Sequence, residues 1–575
     1  MPRRAWLIVV LIVFVGATMA YGLRAPHGVP AGAPTENQMA TRLGSPIMDH
    51  IVKGHVAGRS GDVFLVPKPN NYLIGPWDLT TLGTSTPWLP SSHPNPWAYL
   101  TRIPLIFYGS GYVPAHDRAY ETVDASELAP TYARLLGMKN FHAQGHPLRE
   151  IARRSAGRPA PRAIVTVILD GGGWNVLQEH PGAWPEIARL AAAGTTYENA
   201  TNGSAPSITG AVHATFGTGD YPERHGIPGN QLRTASGKIQ DSWMFNADPH
   251  FLRKPTVSDL WDAHTHNKAI VAAVAMEGWH LGMLGHGAAM PGGDKDIAAI
   301  WKQDPSGWTS NPSYYKLPSY ISGMQLSRLR SYERRLDGRD GVQDGKWFGH
   351  SLRYLRDPVV RPGTPAFVRF TGDAMSRVLS HEPFGKDRIT DLLWVEFKAP
   401  DFAGHLWNMV SPEEGDVLSE VDQQIARLKG ELDRKLGRGN YVLAVSADHG
   451  QQPLPDDLGG WRIDATELGN DINARFGKVV RKVTPVDIYL DPAALAHSGY
   501  AADDIARFLG TYTIGDNIPG SKAGADRVPP ARLGQRLFAA AFSAHYIESL
   551  APSTVASFGP GAYAQSKLTV SKPTP

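Results

Sequence analysis

Residues 163–173 read AIVTVILDGGG, a continuous apolar run that ends in Asp170 and three glycines. Such a run fits a strand buried on both faces, with a chemistry-bearing loop at its carboxyl end. WPEIARLAAAG (184–194) has the helical spacing to cross back over the sheet. Two more runs repeat the pattern: LLWVEFKAPDFAGH (392–405) and YVLAVSADHG (441–450). Three buried-strand signals that each end in Asp or His are hard to explain by packing alone. They predict an α/β sheet with a metal or catalytic site along its carboxyl edge.

Composition excludes several classes. The 575 residues carry Lys+Arg 57 against Asp+Glu 54, a net charge of +3, too little for polyanion or nucleic-acid binding by bulk charge. The absence of cysteine excludes a disulfide scaffold, thiolate zinc, iron–sulfur clusters and thiol catalysis. Gly 60 and Pro 46 predict many turns and long loops, while 15 Trp, 20 Tyr and 18 Phe supply ample core. Arg3 and Arg4 precede an uncharged run over 5–23, read as a signal peptide or membrane anchor that places the rest outside the cytoplasm, periplasmic or facing the exterior. Residues 24–45 read as a tether and 139–162, polar and basic, as a linker. Between them, DVFLVP (62–67) and IPLIFYG (103–109) predict strands, and ASELAPTYARLLGM (125–138) a helix. The stretch 231–390 is expected to hold further sheet elements and an insertion over the site.

The candidate ligands are individually ordinary. Asp170 alone is as well explained by capping a turn. Asp401 and His405 lie four apart, on one helix face or one tight loop. Asp448 and His449 end a buried strand, where a charge must be paired or metal-bound. His93 on a loop is bland by itself. Together they form an N/O donor set that suits two Zn²⁺ with open positions, able to clamp both oxygens of a phosphoryl transfer.

VILDGGG, SAPSITGAVHATFGTGDYPERHGIPGN (204–230), APDFAGHLW (399–407) and SADHG (446–450) resemble the alkaline phosphatase superfamily, specifically its type I phosphodiesterase/nucleotide pyrophosphatase branch. The resemblance implies an alkaline-phosphatase-like, mostly parallel sheet flanked by helices. It implies one zinc on Asp170, Thr209, Asp448 and His449, and a second on Asp401, His405 and a late histidine. Thr209 is the implied nucleophile, with Ser207 its competitor; His213 and His225 are structural. Asn230 matches a position that binds a non-bridging phosphate oxygen.

The late histidine of the family precedes stretches that, here, stand early: SSHPNPWAYLTRIPLIFYG (91–109) and DASELAPTYARLLG (124–137). The chain therefore resembles a circularly permuted member, with His93 as the displaced ligand, residues 46–138 as the family's C-terminal piece, and 163–575 as the main catalytic part. In-line displacement through a phospho-threonine is the implied reaction. Monoesterases of the group often add a Lys-x-Arg pair; the stretch 271–287 has no Lys or Arg, which favours a diester or pyrophosphate, such as a nucleotide or lipid head group. A phosphomonoesterase and an inactive membrane-tethered binding protein are the alternatives. Trp243, Trp261, Trp279 and Trp301 either stack a substrate or build core.

Overall fold

The computed structural model describes residues 28–74, 90–243, 247–302, 307–518 and 528–563. Thirteen strands build its two main sheets: β1 (Val63–Pro67), β2 (Leu105–Tyr108), β3 (Asp117–Asp124), β4 (Ala163–Leu169), β5 (Thr195–Thr201), β6 (Val271–Ala275), β7 (Ile297–Lys302), β8 (Gly307–Thr309), β9 (Asp391–Phe397), β10 (Tyr441–Ser446), β11 (Val480–Val483), β12 (Asp487–Leu490) and β13 (Phe538–Ser543). The central sheet has the order β8-β7-β6-β9-β4-β10-β2-β5-β3. From β7 through β10 every neighbour is parallel, whereas β2 runs antiparallel between β10 and β5.

The three apolar runs are the centre of this sheet. Every residue of β4, β9 and β10 is buried, because helices cover both faces. Their register is in step: Ala163 pairs with both Asp391 and Tyr441, and Ile168 with both Glu396 and Ser446. The three loops that follow therefore leave the sheet side by side at one edge.

The flanking helices used below are α1 (Leu128–Leu135), α2 (Thr209–Thr218), α3 (Val257–His264), α4 (Pro365–His381), α5 (Ala399–Trp407) and α6 (Pro412–Lys435). Helix α6 buries Val417, Val421, Ile425, Leu428 and Leu432, one stripe at helical spacing. Tyr132 of α1 lays its ring beside Trp394 and bonds its hydroxyl to Thr166 Oγ1 at 2.6 Å. Of the tryptophans weighed above, Trp243, Trp261 and Trp301 are buried in this core.

The second sheet, β11-β12-β1-β13, places β1 antiparallel between two strands of the C-terminal part. The segment 46–138 thus gives β1 to this sheet and β2 and β3 to the central one, packing as part of the same body.

Two expected boundaries need correction. Most of the tether 24–45 is ordered: Glu36–Leu43 is a helix with a Thr35 capping box, and Met39, Ala40 and Leu43 are buried with Phe542 and Ala540. The linker 139–162 carries a short helix, Arg149–Arg154, held by the buried Leu148 and Ile151. In both, a few apolar residues at helical spacing outweigh a polar, Pro- and Gly-rich setting. The 5–23 run lies outside the described residues; among the described residues no helix is long and apolar enough to cross a membrane.

Candidate active site

Asp170 follows β4, Lys398 follows β9, and Asp448 and His449 follow β10, so the aligned strand ends bring four chemical groups together. Gly171 turns the first loop with φ 71°, and a Cβ there would stand 2.7 Å from the Asp401 Cα. Glycine is required because the loop after β4 presses directly on α5. Pro400 opens α5, Asp401 lies in its first turn, and His405 follows one turn later on the same face. Thr209 is the first residue of α2, at the positive end of the helix dipole.

The side chains form two adjoining groups. In one, His449 Nε2 lies 3.1 Å from Asp448 Oδ2, 3.5 Å from Asp170 Oδ1 and 3.4 Å from Thr209 Oγ1. In the other, Asp401 Oδ1 lies 3.2 Å from His93 Nε2 and 3.1 Å from His405 Nε2. The His93 and His449 rings stack with centroids 3.5 Å apart, which joins the groups. All seven residues are buried. The structure thus brings together Asp170, Thr209, Asp401, His405, Asp448, His449 and His93, the set the sequence proposed.

Orientation favours a cation. The Nδ1 of His93, His405 and His449 each meets a backbone carbonyl, of Ser207, Ser91 and Gly450, at 2.8, 2.6 and 3.0 Å. Donation there fixes the proton on Nδ1 and leaves each Nε2 lone pair directed at the carboxylates. Asp170 Oδ1 and Asp448 Oδ2 are buried without a hydrogen-bond partner. Burial pushes both carboxyls up to about 6, Asp170 with the added repulsion of Asp448. Burial, reinforced by His449, pushes His93 down to about 4 and so keeps it neutral. Against burial, Asp401 beside it pushes His405 up, while burial keeps His93 and His449 neutral; orphan oxygens and ring nitrogens facing one another in this way fit two divalent ions.

Asn230 accepts a 2.9 Å bond from the Gly210 N–H, which turns its amide toward the start of α2. Ser207, the alternative nucleophile, is committed elsewhere: Asn202 Nδ2 donates to its hydroxyl, which bonds to the Leu100 carbonyl. His213 Nδ1 meets the Thr209 carbonyl and lies 3.7 Å from Asp448 Oδ2, beside Asp170 and His280, while His225 sits between Thr215 Oγ1 and the Ile227 N–H.

Three residues escaped the sequence reading. Lys398 Nζ lies 2.8 Å from Asp170 Oδ2, 2.7 Å from Asp401 Oδ2 and 3.5 Å from Thr209 Oγ1. It uses the Oδ2 atoms, while the Oδ1 atoms face the histidines, so ammonium and ion sites coexist. The stretch 271–287 carries no Lys or Arg; a cation comes instead from the end of β9, and its sequence signal was Lys398 three residues before Asp401. His280 Nε2 lies 3.0 Å from Asp170 Oδ2 and receives the Glu277 N–H on Nδ1. Gln451 Nε2 donates to Asp401 Oδ1 at 2.6 Å.

The cleft above Thr209 has an apolar wall of Pro206, Ile208, Trp279, Phe402, Val486 and Tyr489, the last two from the turn before β12 and from β12 itself. Glu277 also lines it, with Oε2 unpartnered and burial pushing its carboxyl up to about 8.

A family model described as type I phosphodiesterase / nucleotide pyrophosphatase matches residues 164–517. Alkaline phosphatase PafA of Elizabethkingia meningoseptica is 22% identical over 414 residues, 63% of this chain and 74% of that protein. Alkaline phosphatase PhoV of Synechococcus elongatus is 23% identical over 346 residues, 52% of this chain and 60% of that protein. The crystal structure of wild-type PafA superposes with a TM-score of 0.52 at 20% identity, covering 61% of this chain and 76% of that one, and so shares the fold.

Proposed function

The chain belongs to the type I phosphodiesterase / nucleotide pyrophosphatase family and is a phosphoric ester hydrolase, and from that premise we propose that it cleaves a phosphodiester or pyrophosphate through Thr209. The observation that carries this reading is the hydroxyl itself: Thr209 Oγ1 lies 3.4 Å from His449 Nε2 and 3.5 Å from Lys398 Nζ, at the start of a helix and at the floor of the cleft.

Asp170, Thr209, Asp448 and His449 would hold one divalent ion, and Asp401, His405 and His93 the other, zinc being the ion the N/O donor set suits. When bound, such ions lower the pKa of the nucleophilic hydroxyl and neutralise charge on the leaving oxygen. Thr209 Oγ1 forms the bond to phosphorus as the bond to the leaving oxygen breaks, and water then cleaves the phospho-threonine and frees the hydroxyl. The Asn230 amide and the Lys398 ammonium hold the non-bridging oxygens as charge redistributes. Lys398 is already shared by two carboxylates, and Glu277 adds a negative charge to the cleft wall once pH exceeds its raised value of about 8, so the side chains suit a singly charged diester phosphoryl better than a dianion, most of all above that pH. The apolar wall suits the organic group of such a substrate, a nucleotide or lipid head group.

A phosphomonoesterase is the second reading, favoured by the Lys398 ammonium beside Thr209 and by relatives named alkaline phosphatases. The same reading takes residues 46–138 as the displaced C-terminal piece of a permuted catalytic domain, since His93 enters the ligand set from that segment. It takes residues 1–23 as the export signal or anchor of an extracytoplasmic enzyme.

Elemental analysis with paired rates on bis(p-nitrophenyl) phosphate and p-nitrophenyl phosphate tests the proposal. Near two zinc per chain, a dominant diesterase rate, its loss in Thr209→Ala, partial retention in Thr209→Ser and an acid-quenched phospho-Thr209 peptide are expected. A dominant monoesterase rate selects the second reading, and full activity in Thr209→Ala overturns the mechanism.

A further inference from the structure

Away from the cleft, three carboxylates converge with no side-chain ion pair to a cation among the described residues. Helix α3 carries Asp262 in its last turn, and the chain then reverses at His266 and Asn267, both at positive φ. The Asn267 N–H donates to the Asp262 carbonyl at 2.9 Å, and Asn267 Nδ2 donates to the Gly292 carbonyl at 3.1 Å. These bonds bring the loop that leads into β7 against the end of α3. In that loop Asp294 and Asp296 stand two residues apart, and a carboxylate oxygen from each lies within 4.8 Å of one from Asp262.

Asp262 is 4% exposed and Asp296 6%, while Asp294 is exposed at the mouth. Asp262 Oδ1 is buried with no hydrogen-bond partner. The lysine between the two acids turns away, its ammonium bonded to the Pro312 carbonyl. Neighbouring Asp259 is already satisfied by the His286 ring and the Thr256 N–H. Lys316 is the cation that acts on Asp296, yet among the described residues no side-chain ion pair joins it to any of the three acids. Asp262 also faces the negative end of its own helix dipole. Burial, with repulsion from Asp294, pushes its carboxyl up to about 7, and burial beside the other acids holds Asp296 well above the usual range.

Buried carboxylates that repel one another need a proton or a cation. The donors are all hard oxygens in an irregular arrangement open to water on one side, which suits Ca²⁺ better than the smaller, octahedral Mg²⁺ or the nitrogen-seeking Zn²⁺. We propose that Asp262, Asp294 and Asp296 form a calcium site, distinct from the catalytic cleft, that ties the end of α3 to the start of β7. Strand β7 lies parallel to β6, which leads directly to Glu277 and Trp279 in the cleft wall, so the ion would brace that wall.

The test uses the full chain, freed of calcium and saturated with zinc so that the cleft is not available, with Ca²⁺ followed by calorimetric titration and thermal unfolding. One equivalent of Ca²⁺ bound with a Kd on the order of 10⁻⁵–10⁻³ M, and a midpoint raised by several degrees, are expected. Asp294→Asn, at an exposed position, should weaken binding at least about tenfold without changing zinc content, as expected when one charged ligand of three is lost. Asp262→Asn should raise the calcium-free midpoint by removing repulsion and abolish the calcium response. No response to Ca²⁺ in the wild type would overturn the proposal and leave a proton-sharing cluster, an equal response in Asp294→Asn would place the ion elsewhere, and an equal shift with Mg²⁺ would overturn the calcium assignment. The variant comparison stands even if the cleft binds no zinc, so the two readings fail separately. Should Asp262→Asn not fold, Asp294→Asn decides alone.

Discussion

Replacing Lys398 by methionine keeps the length and apolar stem of the side chain and removes only its charge. The ammonium bridges Asp170 and Asp401 at 2.8 and 2.7 Å. At an effective dielectric of about 20 each contact corresponds to about 6 kcal/mol of attraction, most of which is offset by the cost of desolvating the ions. Removing one partner leaves the acids uncompensated, and the zinc-free protein should lose about 3–5 kcal/mol. The loaded protein should lose less, because bound ions neutralise the same carboxylates, and by linkage Lys398→Met should bind zinc more tightly than the wild type. Activity reads the other role. An electrostatic contact beside the nucleophile is worth about 10²–10³ in kcat, so kcat/KM on bis(p-nitrophenyl) phosphate should fall by about that factor, and on p-nitrophenyl phosphate by a further ~10-fold because the dianion depends more on the cation. Unchanged rates on both substrates in zinc-loaded Lys398→Met would refute the reasoning, since the ammonium would then not face the phosphoryl group. An equal fall on both would refute its role in charge selection.

His280 touches no substrate position but holds Asp170 Oδ2 at 3.0 Å, so His280→Ala should weaken zinc about 10–100-fold in a competition titration with the fold intact, and His280→Gln should restore part of it. Asp487 lies in the cleft wall with Oδ1 unpartnered, and burial, opposed by the Gly61 N–H, raises its carboxyl to about 7. Because the folded value exceeds the unfolded one, its contribution to stability is fully present below about pH 4 and lost as pH rises through 7. Asp487→Asn should therefore stabilise the protein above pH 7 by at most about 4 kcal/mol and remove the slope that Asp487 gives the stability profile between about pH 4 and 7, measured by urea unfolding.

The central sheet and most of the site were legible because burial on both faces leaves an unmistakable mark. β4, β9 and β10 have no solvent face, so apolar residues dominate them despite Thr166 and Glu396 within, and Asp170, Lys398 and the Asp448–His449 pair follow at their ends. Asp401 and His405 could be placed on one face since four residues is a helical interval. His93 had no such local signal. It sits in a loop far from Asp401 in sequence and reaches it only because β2 inserts beside β10. Met39, Ala40 and Leu43 were hidden for the opposite reason: one buried helical turn in a Pro- and Gly-rich stretch is too short a period to detect.

Lys398 and Glu277 show what local reading leaves out. The sequence of 271–287 shows no Lys or Arg and gives no sign of where its Glu277 points; in three dimensions that acid lines the cleft wall and a cation enters from the end of β9. Charge in a buried site is a property of the whole cavity, because at low dielectric each group acts on all the others. Among the described residues Asp170, Asp401, Asp448 and Glu277 are met by one ammonium, so on the proposed reading the cleft lacks positive charge until divalent ions bind, and substrate charge would then be matched by the sum of ions and Lys398. An enzyme arranged this way is switched on by its metals. On the proposed reading its choice between monoester and diester would turn on Lys398 and Glu277, and on the protonation of Glu277, whose carboxyl burial raises to about 8. Where that carboxyl carries its proton the cavity gains one positive unit and tolerates a more negative phosphoryl group, so selectivity for the diester over the monoester should rise with pH across that value.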